Sequence, residues 1–150
     1  MNEPKNSKII SKSKHLPILL MVSNDRTRDY LLDLLKENEF YHIMMRNPSE
    51  LLQALREQNI AIVFVDCEAV TGYGAGIYAK VKVACPSSRV ILFGDRAHLR
   101  NKSHRDLIKE AMDMGVYACI LAPYEEWEVL SMVRHIFTKG NAKHNKITLK

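Results

Sequence analysis

Five short apolar runs alternate with five amphipathic stretches between residues 16 and 138, and this alternation constrains the fold more than any other feature of the chain. The apolar runs predict strands at Ile18–Val22, Tyr41–Met45, Ile60–Val65, Val90–Phe93 and Val116–Leu121. The last three runs are almost continuously apolar, which is typical of parallel strands that helices cover on both faces. The sequence therefore predicts one α/β domain built around a parallel sheet.

The amphipathic stretches carry signals for the ends of helices. Asp25 or Thr27 is predicted to cap the first helix, and Ser103 with Asp106 forms a predicted capping box for the fourth. Gly115 is placed to end that fourth helix. Five β-α units with right-handed crossovers predict a flavodoxin-like, doubly wound five-stranded parallel sheet, (βα)5, with strand order 2-1-3-4-5 and the polar second strand at an edge.

The formal net charge of +5 is concentrated at the two ends of the chain. Residues 1–14 contribute +3 and residues 139–150 contribute +4, which leaves −2 for residues 15–138. We expect flexible basic tails at 1–14 and 139–150 around a domain at 15–138. Tail-mediated nucleic-acid binding is an alternative function, but the tails contain no aromatic residue for base stacking, so nucleic acid is not the expected partner.

The cysteines and the apolar runs indicate the cellular compartment in which we expect the chain. Cys67, Cys85 and Cys119 show no CxxC spacing, so we expect reduced thiols with no disulfide and no structural zinc, and hence a cytoplasmic location. No apolar stretch approaches the roughly 18 residues of a spanning helix. Residues 1–14 contain no apolar signal segment. We therefore expect neither membrane insertion nor secretion.

Small or polar residues follow four of the five predicted strands. The carboxyl ends of parallel strands meet at one edge of a doubly wound sheet, and ligands and chemistry gather there. The residues at that edge are Ser23-Asn24-Asp25, Asp66-Cys67-Glu68, Gly94-Asp95 and Ala122-Pro123. We therefore expect any site chemistry to lie among these residues.

Three segments together carry a resemblance to a known family. They are the apolar run Ile18–Val22 leading into a polar turn, Val63-Phe64-Val65-Asp66, and Gly115 followed seven residues later by Ala122-Pro123-Tyr124. With these segments, residues 16–138 resemble the receiver domain of two-component response regulators. The resemblance implies a module of phosphorelay signal transduction and matches Asp66 to the phosphoacceptor aspartate of the family.

Receivers also carry an acidic pair after strand one, a hydroxyl residue after strand four, a switch aromatic in strand five and a lysine before the following proline. In this chain those positions fall on residues of different chemistry. The acidic pair falls on Ser23 and Asn24 with Asp25 one residue beyond, the hydroxyl on Gly94, the aromatic on Cys119 and the lysine on Ala122.

The missing groups determine how much of the family's chemistry we expect. Phosphoryl transfer to a carboxylate needs magnesium held by hard oxygen ligands and a cation near the phosphoryl oxygens. Ser23 and Asn24 carry no charge, and Ala122 cannot pair with a phosphate. The sequence therefore predicts a degenerate, pseudo-receiver module that acts through protein–protein contact, with no catalysis, no cofactor and no dependence on aspartyl phosphorylation.

Two alternatives for Asp66 remain open. In the first, the chain is an atypical response regulator that a histidine kinase phosphorylates at Asp66. Magnesium would then be its only cofactor, held weakly by Asp66, Asp25 and the Glu68 backbone. In the second, Asp66 is structural and caps the turn into the next helix.

The resemblance also implies where partners bind. Receivers commonly dimerise or bind effectors through their fourth helix, fifth strand and fifth helix. The candidate partner face on these elements carries Trp127, Lys109 and Arg134, with Trp127 as the candidate hot spot. The expected partner is a protein, either a histidine kinase, a downstream effector or a second copy. The alternative is that Trp127 only covers the rim of the core.

Overall fold

One five-stranded parallel sheet organises the chain, and the computed structural model describes residues 17–149, with side chains described for 17–138. Its strands are β1 (Ile18–Met21), β2 (His42–Met44), β3 (Ile62–Asp66), β4 (Arg89–Asp95) and β5 (Ala118–Ala122). All neighbouring strands are parallel, in the order β2-β1-β3-β4-β5. The predicted flavodoxin-like order and the edge position of the second strand are confirmed.

Six α-helices connect and follow the strands. They are α1 (Asp25–Glu37), α2 (Pro48–Glu57), α3 (Cys67–Tyr73), α4 (Gly76–Ala84), α5 (Lys102–Asp113) and α6 (Glu126–Leu149), and a 3-10 turn spans Arg96–Arg100. Five of these helices correspond to the five amphipathic stretches predicted from the sequence. The sequence did not predict α3, because seven residues are too few to show a periodic apolar pattern.

Two predicted helix starts are wrong by one to three residues. Asn24, whose backbone is extended, caps α1 by accepting a hydrogen bond from the Thr27 N–H at 3.0 Å. Asn101 caps α5 in the same way and accepts from the Ser103 N–H at 2.8 Å. In both cases an asparagine just upstream offers a short side-chain oxygen to the free N–H groups of the first turn. Gly115 ends α5 as predicted, at a positive φ of 92°.

The helices cover the two faces of the sheet as two separate apolar layers. On one face α2, α4 and α5 contribute buried residues that include Leu51, Leu55, Ile77, Val81 and Ala111. On the other face α1 and α6 contribute Leu31, Leu34, Leu35, Val129, Val133 and Ile136. Any surface formed by α2 and α4 therefore lies on the opposite side of the sheet from α1 and α6.

The predicted tails lie largely outside these observations. Residues 1–16 are outside the described residues, and so is the predicted flexibility of residues 1–14. The backbone of α6 continues through Leu149, into the range 139–150 for which a flexible tail is predicted. Tail-mediated nucleic-acid binding depends on side chains outside the described set. Within residues 17–149, no helix combines the length and apolar character needed to cross a bilayer.

Candidate functional site

Asp66 ends β3, beside β1, and its side chain is only 2% exposed. Its Oδ1 accepts hydrogen bonds from the backbone N–H groups of Ser23 and Ala69, both at 3.0 Å. Its Oδ2 accepts from the backbone N–H of Asn24 at 2.7 Å. The Ala69 bond makes Asp66 the N-cap of α3, and the other two bonds tie the β1–α1 turn to the end of β3.

This arrangement satisfies both oxygens of a buried carboxylate with backbone donors. A buried charge is tolerated when hydrogen bonds replace its lost hydration, and three short N–H contacts do so here. The carboxylate also sits at the N-terminus of α3, where the backbone dipoles favour negative charge. The geometry shows the structural role of Asp66 directly: it joins two β-α turns and caps a helix.

Ser23 and Asn24, which stand at the positions of the family's acidic pair, place no carboxylate beside Asp66. Ser23 and Asn24 reach it through their backbone N–H groups. The Asn24 side chain is used elsewhere, since its Nδ2 donates to Glu68 Oε1 at 3.1 Å and its oxygen caps α1. Asp25 points to solvent with its side chain 82% exposed, in an ion pair of 3.0 Å with Arg28.

These contacts do not fit the magnesium site left open from the sequence. Asp25 is not among the residues that line the cleft around Asp66, and both Asp66 oxygens already accept backbone hydrogen bonds. Among the described residues, no group of three His, Cys, Asp or Glu side chains is arranged to hold a metal ion. Hard-cation sites need several oxygen ligands around one point, and of the three predicted ligand residues Asp66 and Glu68 line the cleft whereas Asp25 does not.

The positions of the family hydroxyl and switch aromatic are filled by a different packing. A Cβ atom at Gly94 would lie 3.1 Å from Cys67 Sγ and 3.2 Å from Leu121 Cδ2. A side chain at this position would therefore press against Cys67 and Leu121, and these neighbours would have to shift to admit it. Cys119 packs, half-buried, against the same apolar layer that contains Cys67.

The two thiols beside this position are poor nucleophiles. Burial, with smaller contributions from Cys119 and Asp66, raises the pKa of Cys67 to about 12. Burial raises the pKa of Cys119 to about 11. Because the thiolate is the reactive form of cysteine, both groups act as packing atoms near neutral pH. They supply no chemistry in place of the missing hydroxyl.

Tyr124 closes the site from the side of β5, after the cis peptide bond that joins Ala122 to Pro123. Its hydroxyl donates to the Gly94 carbonyl at 3.0 Å and lies 3.1 Å from Thr27 Oγ1. Its ring stacks on Tyr30 with centroids 5.3 Å apart. Burial raises the pKa of Tyr124, so the hydroxyl stays protonated and remains a donor. Tyr124 thus links β4, α1 and the loop after β5.

Together these residues surround a cleft of about 580 Å³ at the carboxyl edge of the sheet. Asn24, Asp66, Gly94 and Ala122 line it, as the strand-end pattern predicts. Sequence reasoning did not place six further lining residues at the cleft, which are Arg26, Thr27, Tyr30, Phe93, His98 and Tyr124. Tyr124 follows the predicted fifth strand by three residues, and this proximity to a strand end could have identified it.

The candidate partner face is exposed but does not form one cluster. The Trp127 side chain, in the first turn of α6, is 68% exposed. Arg134 lies at the α1 side of α6, where its Nη2 donates to Asn38 Oδ1 at 3.4 Å. Lys109 is exposed on α5, across the sheet. Most of the Trp127 ring faces solvent, which favours a partner contact over simple cover of the core.

Comparison with known proteins finds solved structures that share the fold at low sequence identity. No protein-family model matches the chain, and no curated protein matches it in sequence. A signal receiver domain of an HD domain-containing protein from Pseudomonas fluorescens is 21% identical with a TM-score of 0.68, over 86% of this chain and 92% of that one. A response regulator from Thermotoga maritima is 22% identical with a TM-score of 0.63, over 83% and 99%.

A third solved structure bears on the cleft. The receiver domain of a sensor histidine kinase from Pseudomonas aeruginosa, solved with a magnesium ion coordinated in its active-site cleft, is 13% identical with a TM-score of 0.63, over 79% of this chain and 94% of that one. At these identities the similarity shows a shared fold. It confirms, for the fold, the resemblance that the strand ends predicted.

Proposed function

We propose that this chain, whose fold is that of response-regulator receiver domains, is a signalling module that works through protein–protein contact and without phosphorylation of Asp66. The observation that carries the proposal is the set of three backbone N–H groups bound to the Asp66 carboxylate. A phosphoacceptor must present an oxygen lone pair to the incoming phosphorus. Here each Asp66 oxygen already accepts at least one backbone hydrogen bond, so a phosphoryl group would compete with the contacts that hold two turns together.

The surroundings of Asp66 add a second reason. A phosphoryl group brings further negative charge next to a buried carboxylate, and catalysis depends on cations placed where that charge develops. Ala122 occupies the position of the family lysine and offers no charge. Glu68 and Asp95 also line the cleft and add negative charge, and Arg26 is the one arginine or lysine among its lining residues. An acyl phosphate at Asp66 would therefore form slowly and would disrupt the cap of α3.

We propose further that the chain has no catalytic activity of its own, requires no cofactor and acts in the cytoplasm. Its partner is a histidine kinase or a downstream effector that binds a fixed surface of the domain. The exposed Trp127 ring is the part of that surface with the most apolar area to bury.

Beryllofluoride and acetyl phosphate with magnesium test the proposal directly. We expect neither reagent to modify or shift the full chain, as followed by intact mass and by amide NMR spectra. Stoichiometric modification of the wild type, absent in Asp66→Asn and retained in the matched control Asp95→Asn, would replace the proposal. The chain would then be an atypical response regulator phosphorylated at Asp66.

A further inference from the structure

A shallow basic groove lies between α2 and α4, far from the Asp66 cleft. It has a volume of about 400 Å³ and is lined by Leu52, Arg56, Ala79, Lys80, Val83 and Ala84. The Val83 side chain is 84% exposed, so an apolar strip faces solvent along the floor and wall of the groove. Neither Arg56 nor Lys80 forms an ion pair with any residue among 17–138. The groove thus offers apolar area flanked by two cations without acidic partners.

The first turn of α6 has the opposite character. The acidic patch, defined as Trp127 with its flanking glutamates, consists of Glu125, Glu126, Trp127 and Glu128. The three glutamates form no ion pair within residues 17–138. A large ring at this position, with glutamates next to it in the sequence, contributes little to the core because it leaves most of its area in water.

We propose that the acidic patch of one copy of this chain docks into the basic groove of a second copy. The Trp127 ring would cover Val83, Ala79 and Leu52, and the glutamates would face Arg56 and Lys80. Aromatic residues in apolar pockets, surrounded by complementary charges, are the usual anchors of protein interfaces. The inference goes beyond the proposed function, and it holds whether or not Asp66 is phosphorylated.

The positions of the two surfaces fix the type of assembly. The groove lies on the sheet face covered by α2, α4 and α5, and the acidic patch begins α6 on the other face. One molecule therefore cannot bring its own patch to its own groove. A single contact leaves one groove and one patch free, and because these lie on opposite faces of the sheet, the same two molecules are not placed to form the contact twice. Such head-to-tail contacts grow into open chains or close into rings.

The size of the contact sets its strength. A stable interface buries roughly 800 Å² on each partner, whereas one tryptophan and three glutamates cover well under that area. The association is therefore weak and appears at high concentration or when copies are held together. Its charged pairs lie at the rim, so raising the salt concentration from about 50 mM to about 500 mM weakens it.

A mixing experiment tests the contact, because Trp127 is the only tryptophan of the chain. The reporter protein is Arg56→Glu/Lys80→Glu, which keeps Trp127 and loses the basic groove. The titrant is Trp127→Ala, which keeps the groove and has no tryptophan. We expect a blue shift of the reporter's fluorescence and, by sedimentation, a complex of twice the 17.2 kDa chain mass. The complex does not grow further, since each variant retains one functional surface.

Two controls make the result decisive. The first titrant control, Trp127→Ala/Arg56→Glu/Lys80→Glu, should bind the reporter at least about tenfold more weakly, which corresponds to about 1.4 kcal/mol. The second control, Lys36→Glu/Lys102→Glu, has the net charge of the reporter but an intact groove, and it should self-associate like the wild type. The absence of any shift, or an equal shift with both titrants, would overturn the proposal. An equal shift would assign the Trp127 surface to a site outside the groove.

Discussion

Cys67 Sγ lies 3.1 Å from the point where a Cβ atom at Gly94 would be, which is closer than real Cβ contacts normally allow. Cys67 directly follows β3, and Gly94 is the second-last residue of the neighbouring strand β4. A sulfur atom on one strand end thus takes the space that a side chain on the other would need. The absence of a side chain at Gly94 and the position of the Cys67 sulfur are therefore linked through packing.

Restoring the hydroxyl should therefore destabilise the domain. Gly94→Ser places an extra side chain against Cys67 and Leu121, and we expect the free energy of unfolding in urea to fall by about 1–3 kcal/mol. Cys67→Ala removes the sulfur, so the same serine should cost less in the Cys67→Ala background. A double-mutant cycle gives the coupling between the two positions. Additive effects would contradict the close approach of residues 94 and 67.

Asp66 should contribute to stability as a cap and clamp. Asp66→Ala leaves three backbone N–H groups without their acceptor, and we expect the free energy of unfolding to fall by roughly 2–4 kcal/mol. Asp66→Asn keeps one acceptor oxygen and should fall between the alanine variant and the wild type. The opposite sign is expected of a true acidic pocket, where removing one carboxylate relieves repulsion between like charges.

Asp95 provides the matched control for that measurement. Its Oδ1 accepts a single exposed hydrogen bond from the Ala97 N–H at 2.9 Å, at the start of the 3-10 turn. Asp95→Ala should cost about 1 kcal/mol or less. If Asp66→Ala were no more destabilising than Asp95→Ala, the hydrogen bonds from Asp66 to the β1–α1 turn would contribute nothing to the free energy of unfolding.

Buried Tyr78 and half-buried Tyr124 should respond differently to loss of the hydroxyl. Tyr124→Phe removes the donor to the Gly94 carbonyl and the contact with Thr27, so we expect it to cost about 0.5–1.5 kcal/mol. The Tyr78 hydroxyl is buried without a hydrogen-bond partner among the described residues. Tyr78→Phe should therefore be neutral or stabilising in the same urea titration. A larger loss for Tyr78→Phe than for Tyr124→Phe would reverse the assignment.

Alkaline pH should destabilise the fold through Cys67. Its pKa is raised from 9.0 to about 12 in the folded chain, because burial disfavours the thiolate. A group whose folded pKa is raised favours folding below its unfolded pKa, and this contribution is lost as pH rises from about 9 towards 12. Urea unfolding across this range should therefore show a shallower decline for Cys67→Ala than for the wild type. Parallel curves would show that the thiol is not buried in solution.

The sheet was the part of the structure that the sequence predicted best, because buried parallel strands leave continuous apolar runs. Strand ends followed from the same runs, so Asp66, Gly94 and Ala122 were placed at the cleft. The contacts of Asp66 could not be predicted, because they are backbone N–H groups and leave no mark in the residue types. The side chain of Asp25 was equally undetermined, since its ion pair with Arg28 competes with the cleft.

The starts of the helices and some of the residues that line the cleft also could not be predicted from the local sequence. Asn24 and Asn101 are ordinary capping residues, but so are the neighbours that the sequence favoured, and only the backbone conformation decides between them. Tyr30 and Tyr124 meet across 94 positions of sequence, through the packing of α1 against the loop after β5. Contacts of that range depend on the whole fold, and no local pattern encodes them.

The tie between the β1–α1 turn and the end of β3 has a consequence for how such a module is regulated. A switch needs a movable part at the place where the signal arrives, and here Asp66 anchors that part to the backbone. On the proposed function, the domain presents its partner surface in a single form. Its output is then set by how much of the protein is present, by how fast it is synthesised and degraded, and by which partners are available.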